Sequence, residues 1–149
     1  MIPIRYPPYD FKFKNENEKK FIFDELRKFW VTFTAEEWVR QNFIQYLLQV
    51  KLYPAAFIAI EKEIRLGELK KRFDLLVYDR DHKPWMLIEC KEQAISLEKK
   101  VLDQVLRYHI SVPVPYLVVT NGVFCAGFGK KEKKLVALTE IPEFPVMSN

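Results

Sequence analysis

The chain has 149 residues, enough for one ordinary domain with its own hydrophobic core. Hydrophobic residues make up 49% of the sequence and aromatic residues 15%, a composition that argues against global disorder. The net charge of +4 permits nucleic acid as a partner but does not demand it.

Targeting and redox signals are weak in this sequence. No apolar run approaches the length of a membrane span, and prolines interrupt the first eight residues, which argues against a signal peptide. We therefore expect a cytoplasmic protein with no membrane partner. The two cysteines, Cys90 and Cys125, form no CxxC pair, so we expect reduced thiols rather than a structural zinc site.

The N-terminal half begins with residues 1–15, which are predicted to form an extended, proline-bearing arm. Residues 18–30 are rich in large apolar side chains and are consistent with a strand that leads into a helix, an assignment that stays open. Thr34 is predicted to cap a helix that runs to about Val50, with Glu37 three residues later as in a capping box. The apolar residues that recur at helical spacing, and should face the core, are Val39, Phe43, Tyr46, Leu47 and Val50.

The C-terminal half alternates strands and turns around a second helix. The predicted strands span residues 57–66, 72–78, 85–91, 116–120, 123–128 and, at an edge, 135–138. Turns are predicted at 67–71, at 79–84 and at Asn121-Gly122, where both residues tolerate positive φ. A second helix, residues 97–110, is predicted to open near Ser96. This layout predicts a single domain, residues 1–149, of the α/β class, with a mixed central β-sheet flanked by helices.

The hairpin formed by the second and third of these strands carries a cluster of charged residues. If the hairpin is symmetric about Asp81 and His82, its cross-strand pairs are Tyr78 with Trp85, Leu76 with Leu87 and Asp74 with Glu89. Lys91 lies two residues after Glu89 and shares its face. The register therefore predicts that Asp74, Glu89 and Lys91 converge at one end of an otherwise apolar surface.

Two carboxylates placed opposite each other repel, and such a pair destabilises a sheet unless something compensates for it. A divalent cation does so, because Mg²⁺ takes oxygen ligands from one or two carboxylates together with phosphate and water. Lys91 would then stabilise charge on a phosphate or help to deprotonate an attacking water. Spacing alone supports equally well a solvated strand end at which Lys91 neutralises both carboxylates.

The segments Arg72-Phe73-Asp74 and Ile88-Glu89-Cys90-Lys91 resemble the signature of the PD-(D/E)XK nuclease superfamily. Phe73 stands where that signature usually has proline, a position that is not itself a ligand. Gln104 and Tyr108 also match the Gln-x-x-x-Tyr motif of one branch of the superfamily, and their spacing places them on one face of a helix.

Further segments resemble the N-terminal domain of type I restriction enzyme R subunits and small stand-alone bacterial relatives of it. They are residues 34–41 (TAEEWVRQ), 53–54 (YP), 61–64 (EKEI) and 120–122 (TNG). The resemblance implies a mixed sheet flanked by helices, with Mg²⁺, or alternatively Mn²⁺, bound by Asp74 and Glu89. It also implies that a glutamate of the first helix joins the site. Glu37 is the first choice and Glu36 the second, although a capping role would restrain Glu37.

The resemblance implies a metal-dependent endonuclease that hydrolyses DNA phosphodiester bonds. Lys91 would orient water or stabilise charge, Gln104 would position Lys91 or a phosphate, and Gln104, Tyr108 and Arg72 are candidate substrate contacts. DNA is the expected partner, together with a restriction or repair protein or a second copy of the chain. The alternative is a catalytically silent or partner-dependent module of the same fold that binds nucleic acid or protein.

Overall fold

The computed structural model describes residues 1–132 and 134–146 of the chain. Its first part contains a short strand, β1 (Ile2–Pro3), and three longer ones, β2 (Phe13–Glu16), β3 (Lys19–Asp24) and β4 (Phe29–Thr32). These are followed by helix α1 (Ala35–Gln49). The predicted N-terminal arm thus contains two strands, β1 and most of β2. The helix considered for residues 18–30 is wrong, because that segment forms the β3–β4 hairpin.

Helix α1 forms where its sequence signals predict it. The Thr34 hydroxyl accepts a hydrogen bond from the backbone N–H of Glu37 at 3.0 Å, so one of the free amides of the first turn is satisfied. Val39, Phe43 and Leu47 are fully buried and Tyr46 is partly buried, as predicted. Val50 is 48% exposed instead, because it lies at the C-cap, beyond the apolar stripe of the helix.

A 3₁₀ turn at Ala55–Phe57 leads into the central strands β5 (Ile58–Leu66), β6 (Leu69–Tyr78) and β7 (Pro84–Cys90). The turn between β5 and β6 is shorter than the predicted 67–71, because Gly67 adopts a φ of +61° and reverses the chain within two residues. Helix α2 (Lys99–His109) follows and begins two residues later than predicted.

Strand β8 (Tyr116–Thr120) agrees with its prediction, and β9 (Phe124–Lys131) and β10 (Lys134–Ala137) complete the described strands. Gly122 has a φ of +88° in the turn before β9, as the Asn-Gly signal indicates. A Cβ atom at Gly122 would also lie 3.1 Å from Val39 of α1, so the turn packs closely on the helix.

The main sheet has the strand order β1-β9-β8-β7-β6-β5, with β10 also paired to β9. Strands β7 and β8 are parallel and the other pairs are antiparallel, which confirms a mixed sheet. Strands β2, β3 and β4 form a separate antiparallel sheet. Leu75, Val77 and Ile88 pack with the buried face of α1, whereas Leu76 and Leu87 belong to a second apolar cluster on the opposite face of the sheet.

The register between β6 and β7 agrees with its prediction from Leu75 to Val77, and the predicted pair of Asp74 and Glu89 lies just beyond the last paired residues. Leu76 pairs with Leu87, and the ladder continues to Leu75 and Ile88. The predicted pairing of Tyr78 with Trp85 is wrong, because an irregularity after Val77 shifts the strands and places Tyr78 opposite Pro84. No helix of residues 1–132 and 134–146 combines the length and the apolar character that a membrane span requires.

Candidate active site

Asp74 and Glu89 lie side by side at adjoining positions of β6 and β7. Beyond the last backbone pair of β6 and β7, a side chain links the two strands. Oδ2 of Asp74 accepts a hydrogen bond from the backbone N–H of Cys90 at 2.8 Å. Burial and the neighbouring Glu89 raise the pKa of Asp74 to about 7, and burial also raises the pKa of Glu89. Ionising both carboxylates therefore costs free energy unless a proton or a cation lies between them.

Lys91 and Glu36 complete the cluster around the two carboxylates. Lys91 directly follows β7, and its backbone N–H donates to the carbonyl of Thr120 at 2.8 Å, which fixes the chain there to β8. Burial and the charge of Asp74 raise the pKa of Glu36, while the charges of Arg40 and Lys91 oppose this rise. Glu36, the second choice on sequence grounds, is thus the glutamate of α1 that faces the Asp74 and Lys91 charges.

Glu37, the first choice, faces a different group of charges. Its carboxylate lies 2.7 Å from Nε of Arg40 and 3.5 Å from Nη2 of Arg27, and the side chain is almost fully buried. Arg27 and Arg40 also pair with Glu61 of β5. The structure therefore places Glu37 in an ion-pair network that joins the β3–β4 turn to α1 and β5, and not with Asp74 and Glu89.

His109 is a site residue that the sequence did not indicate. It is 2% exposed at the end of α2, and its Nε2 lies 3.0 Å from Oε1 of Glu89. Burial and the charge of Lys71 lower the pKa of His109 to about 4, so the imidazole that contacts Glu89 is neutral near pH 7. The available sequence signal is its position four residues after Val105, which places both on the buried face of α2.

Gln104, Tyr108 and Arg72 lie apart from this cluster. Gln104 and Tyr108 are exposed and line an open groove of about 900 Å³ along the outer side of α2. Arg72 is exposed and pairs with Glu61 at 2.9 Å. Among residues 1–132 and 134–146, no hydrogen bond joins these three side chains to Asp74, Glu89 or Lys91. Their roles at the site stay predictions.

The donor chemistry of the cluster fits a hard divalent cation. Asp74 and Glu89 offer carboxylate oxygens, the ligands that Mg²⁺ prefers, and two carboxylates are the usual protein share of such a site. Cys90 directly follows Glu89 but is buried in the apolar core beneath α1, so it adds no soft ligand. The described part of the chain contains no group of three or more His, Cys, Asp or Glu side chains placed to hold a metal.

Together, the fold and this cluster define a mixed α/β domain that carries a carboxylate pair and a lysine where the pairing of β6 with β7 ends. The family model described as "Type I restriction enzyme R protein N terminus" matches residues 35–145, about three quarters of the chain. The chain belongs to this family, and the resemblance identified from sequence motifs is confirmed at the family level. No curated protein matches the chain.

The matched region begins with the first residue of α1 and includes Glu36, Asp74, Glu89 and Lys91. Strands β1 to β4 precede it. The family relates the chain to type I restriction enzymes, and the chemistry of its own site is a separate question.

Proposed function

We propose that this protein is a divalent-metal-dependent deoxyribonuclease that hydrolyses phosphodiester bonds of DNA. The observation that carries the proposal is the convergence of Asp74, Glu89, Lys91 and Glu36 in a member of a restriction-enzyme family. A pair of partly buried carboxylates is destabilising by itself, and function is a sufficient reason for retaining it.

Asp74 and Glu89 would hold Mg²⁺, with Mn²⁺ as a substitute. When bound, such an ion polarises the phosphate oxygens and lowers the pKa of water. His109 holds the Glu89 carboxylate in one orientation through its 3.0 Å contact, and the N–H of Cys90 does the same for Asp74.

Lys91 and Glu36 would act on the water and the phosphate. In hydrolysis the water oxygen bonds to phosphorus, its proton passes to a base, and the bond to the leaving oxygen breaks. Glu36, whose pKa is raised, is the base that we assign, and the Lys91 ammonium stabilises the negative charge that grows on the phosphate. In this assignment Glu37 supports the site through Arg40 and does not take part in the reaction.

The test is cleavage of supercoiled plasmid and of linear single-stranded DNA in Mg²⁺, Mn²⁺ or EDTA. We expect metal-dependent nicking that falls by at least about 100-fold in Lys91→Ala and is lost in Asp74→Ala. Lys83→Ala is the matched control, because Lys83 is an exposed lysine in the turn between β6 and β7. It should retain wild-type activity.

Absence of cleavage by folded wild-type protein under all these conditions would contradict an autonomous nuclease. A partner-dependent binding module of a restriction assembly would then be the better description. Salt-sensitive DNA binding that survives Lys91→Ala would support that alternative.

A further inference from the structure

The small sheet formed by β2, β3 and β4 has two different faces. Ile22 and Asp24 are fully buried on one face, where Asp24 accepts a hydrogen bond from Gln41 of α1. Side chains alternate along a strand, so Phe21 and Phe23 point to the opposite face. The small sheet is therefore anchored to α1 by one face only.

The outer face combines aromatic rings with lysines in a regular arrangement. Cross-strand pairing places Lys14 opposite Phe21 and Phe23 opposite Trp30, and the carbonyl of Lys12 accepts a hydrogen bond from the N–H of Phe23. Lys14 on the edge strand β2 and Lys12, the residue just before it, thus lie beside three rings on β3 and β4. We call these residues, Lys12, Lys14, Phe21, Phe23 and Trp30, the aromatic–lysine face.

The rings of this face are covered partly by flexible cationic side chains and partly by one another, since the Phe23 and Trp30 rings meet edge to face at 5.2 Å. Nζ of Lys14 lies 4.9 Å from the centre of the Trp30 ring and 5.6 Å from that of Phe21, and Nζ of Lys12 lies 5.7 Å from that of Phe23. All three rings are only partly buried. Within the described residues, β2, β3 and β4 pair only with one another. Aromatic rings on one face of a sheet are normally covered by a helix or by another sheet, and here lysine side chains lie over them instead.

The acidic groups near the face hold these lysines weakly. Glu16 pairs with Lys14 at 3.1 Å, and Glu25 pairs with Lys12 at 4.0 Å. The Lys12 side chain is 69% exposed and that of Lys14 is 37% exposed, and such surface pairs are readily exchanged for another anion. A ligand that offers both phosphate groups and flat aromatic surfaces would satisfy the lysines and the rings together.

We propose that the aromatic–lysine face binds single-stranded DNA. Unpaired bases would stack on Phe21, Phe23 and Trp30 while the phosphates follow Lys12 and Lys14 along β2, a combination typical of single-strand-binding surfaces. In a duplex the base faces are already stacked and out of reach, so the surface selects for unpaired strands. This inference rests on the proposed function, because it names the form of DNA that the nuclease would retain.

A chain of ion pairs connects the small sheet to the helix that carries Glu36. Arg27, in the turn between β3 and β4, bonds to Asp24 at 2.8 Å and pairs with Glu37. Glu36, next in the chain, faces Asp74 and Lys91. The same turn of α1 therefore holds the small sheet with one glutamate and contributes the other to the cluster. Strands β2 to β4 precede the region matched by the family, so the match does not account for this surface.

The experiment measures fluorescence anisotropy of a labelled oligo-dT of about 16 nucleotides and of a duplex of equal length, in EDTA over a range of salt concentrations. Wild-type protein should bind the single strand more tightly than the duplex. Lys12→Ala combined with Lys14→Ala should weaken single-strand binding and reduce the slope of log K against log salt by about 1.4. Trp30→Ala should weaken it by roughly 5- to 150-fold, and Trp30→Phe should restore most of the loss.

The matched charge control is Lys83→Ala combined with Lys131→Ala, which removes two exposed lysines from the other sheet. An equal loss in this control, unchanged binding in the Lys12 and Lys14 variant, or equal affinity of Trp30→Ala and Trp30→Phe would overturn the proposal. Duplex binding as tight as single-strand binding would do the same. Binding through the face without plasmid cleavage would leave this inference standing while the nuclease proposal fails. Cleavage without such binding would support the nuclease proposal and overturn the single-strand-binding proposal.

Discussion

Replacing Asp74 with asparagine is expected to stabilise the metal-free protein and to remove its response to Mg²⁺. Burial and Glu89 raise the pKa of Asp74 to about 7 from an ordinary value of 3.8. The folded protein therefore binds this proton more tightly than the unfolded chain, and its stability falls as the pH rises from about 4 to about 7. Asparagine carries no charge but keeps an oxygen that can accept the hydrogen bond from Cys90.

The size of the gain follows from the raised pKa. The interval between 3.8 and about 7 corresponds to an upper limit of about 4 kcal/mol. Asp74 is partly exposed, and solvent screens part of this interaction. We therefore expect the variant to be more stable by about 1–3 kcal/mol above pH 7, a rise in Tm of roughly 2–12 °C. The gain should shrink towards pH 4.

The assay is thermal unfolding at pH 4, 5 and 8 in EDTA, repeated at pH 8 with Mg²⁺. Mg²⁺ should raise the Tm of the wild type, by the equivalent of about 2.7 kcal/mol when its concentration is 100 times Kd, and leave the variant unchanged. Glu63→Gln, which removes a carboxylate from an exposed position of β5, is the control and should show neither effect. A variant less stable than wild type at pH 8 in EDTA would refute the reasoning.

Substitutions at four further positions test neighbouring contacts. His109→Leu should weaken Mn²⁺ affinity about 10- to 100-fold in a titration, because Glu89 loses its polar contact with the imidazole, and His109→Gln should recover part of the loss. Equal affinities of His109→Leu and wild type would contradict this role. Glu36→Gln should lower plasmid cleavage with little change in Tm, whereas Glu37→Gln should mainly lower Tm because it leaves buried arginines less neutralised, and the opposite pattern would exchange their roles. Thr34→Ala should cost about 1 kcal/mol in denaturant unfolding, and a loss below about 0.3 kcal/mol would show that this cap is dispensable.

Elements with strong local signals were predictable from the sequence. The Thr34 cap and the apolar spacing of α1 both act within a few residues, and the helix forms where they place it. Likewise β8 and the following Gly122 turn match their predictions, because a short apolar run bounded by proline and Asn-Gly has few other conformations. The pairing of Leu76 with Leu87 was also correct, since it depends only on the length of one hairpin.

Turns and contacts that depend on residues far apart in the sequence were not predictable from local patterns. The β3–β4 turn has no glycine or asparagine to mark it, and is instead closed by Asp24, whose carboxylate accepts the N–H groups of Leu26 and Arg27. Asp24 in turn accepts a hydrogen bond from Gln41, seventeen residues away. His109 was missed for a related reason, because its contact with Glu89 joins a helix to a strand across the sheet.

The sequence alone could not decide whether Glu36 or Glu37 of α1 joins the site, because the deciding contacts are made with distant residues. Adjacent residues of a helix point about a quarter of a turn apart, so Glu36 and Glu37 face different carboxylates, although the charge of Arg40 acts on both. Glu37 contacts Arg40 of its own helix at 2.7 Å and Arg27 of a separate hairpin at 3.5 Å, whereas the charge of Asp74 acts on Glu36. A change in the β3–β4 turn that displaces Arg27 should therefore alter the site through α1 without touching any of its four charged residues. The small sheet and the cluster are thus expected to vary together in function, since both depend on the orientation of this one helical turn.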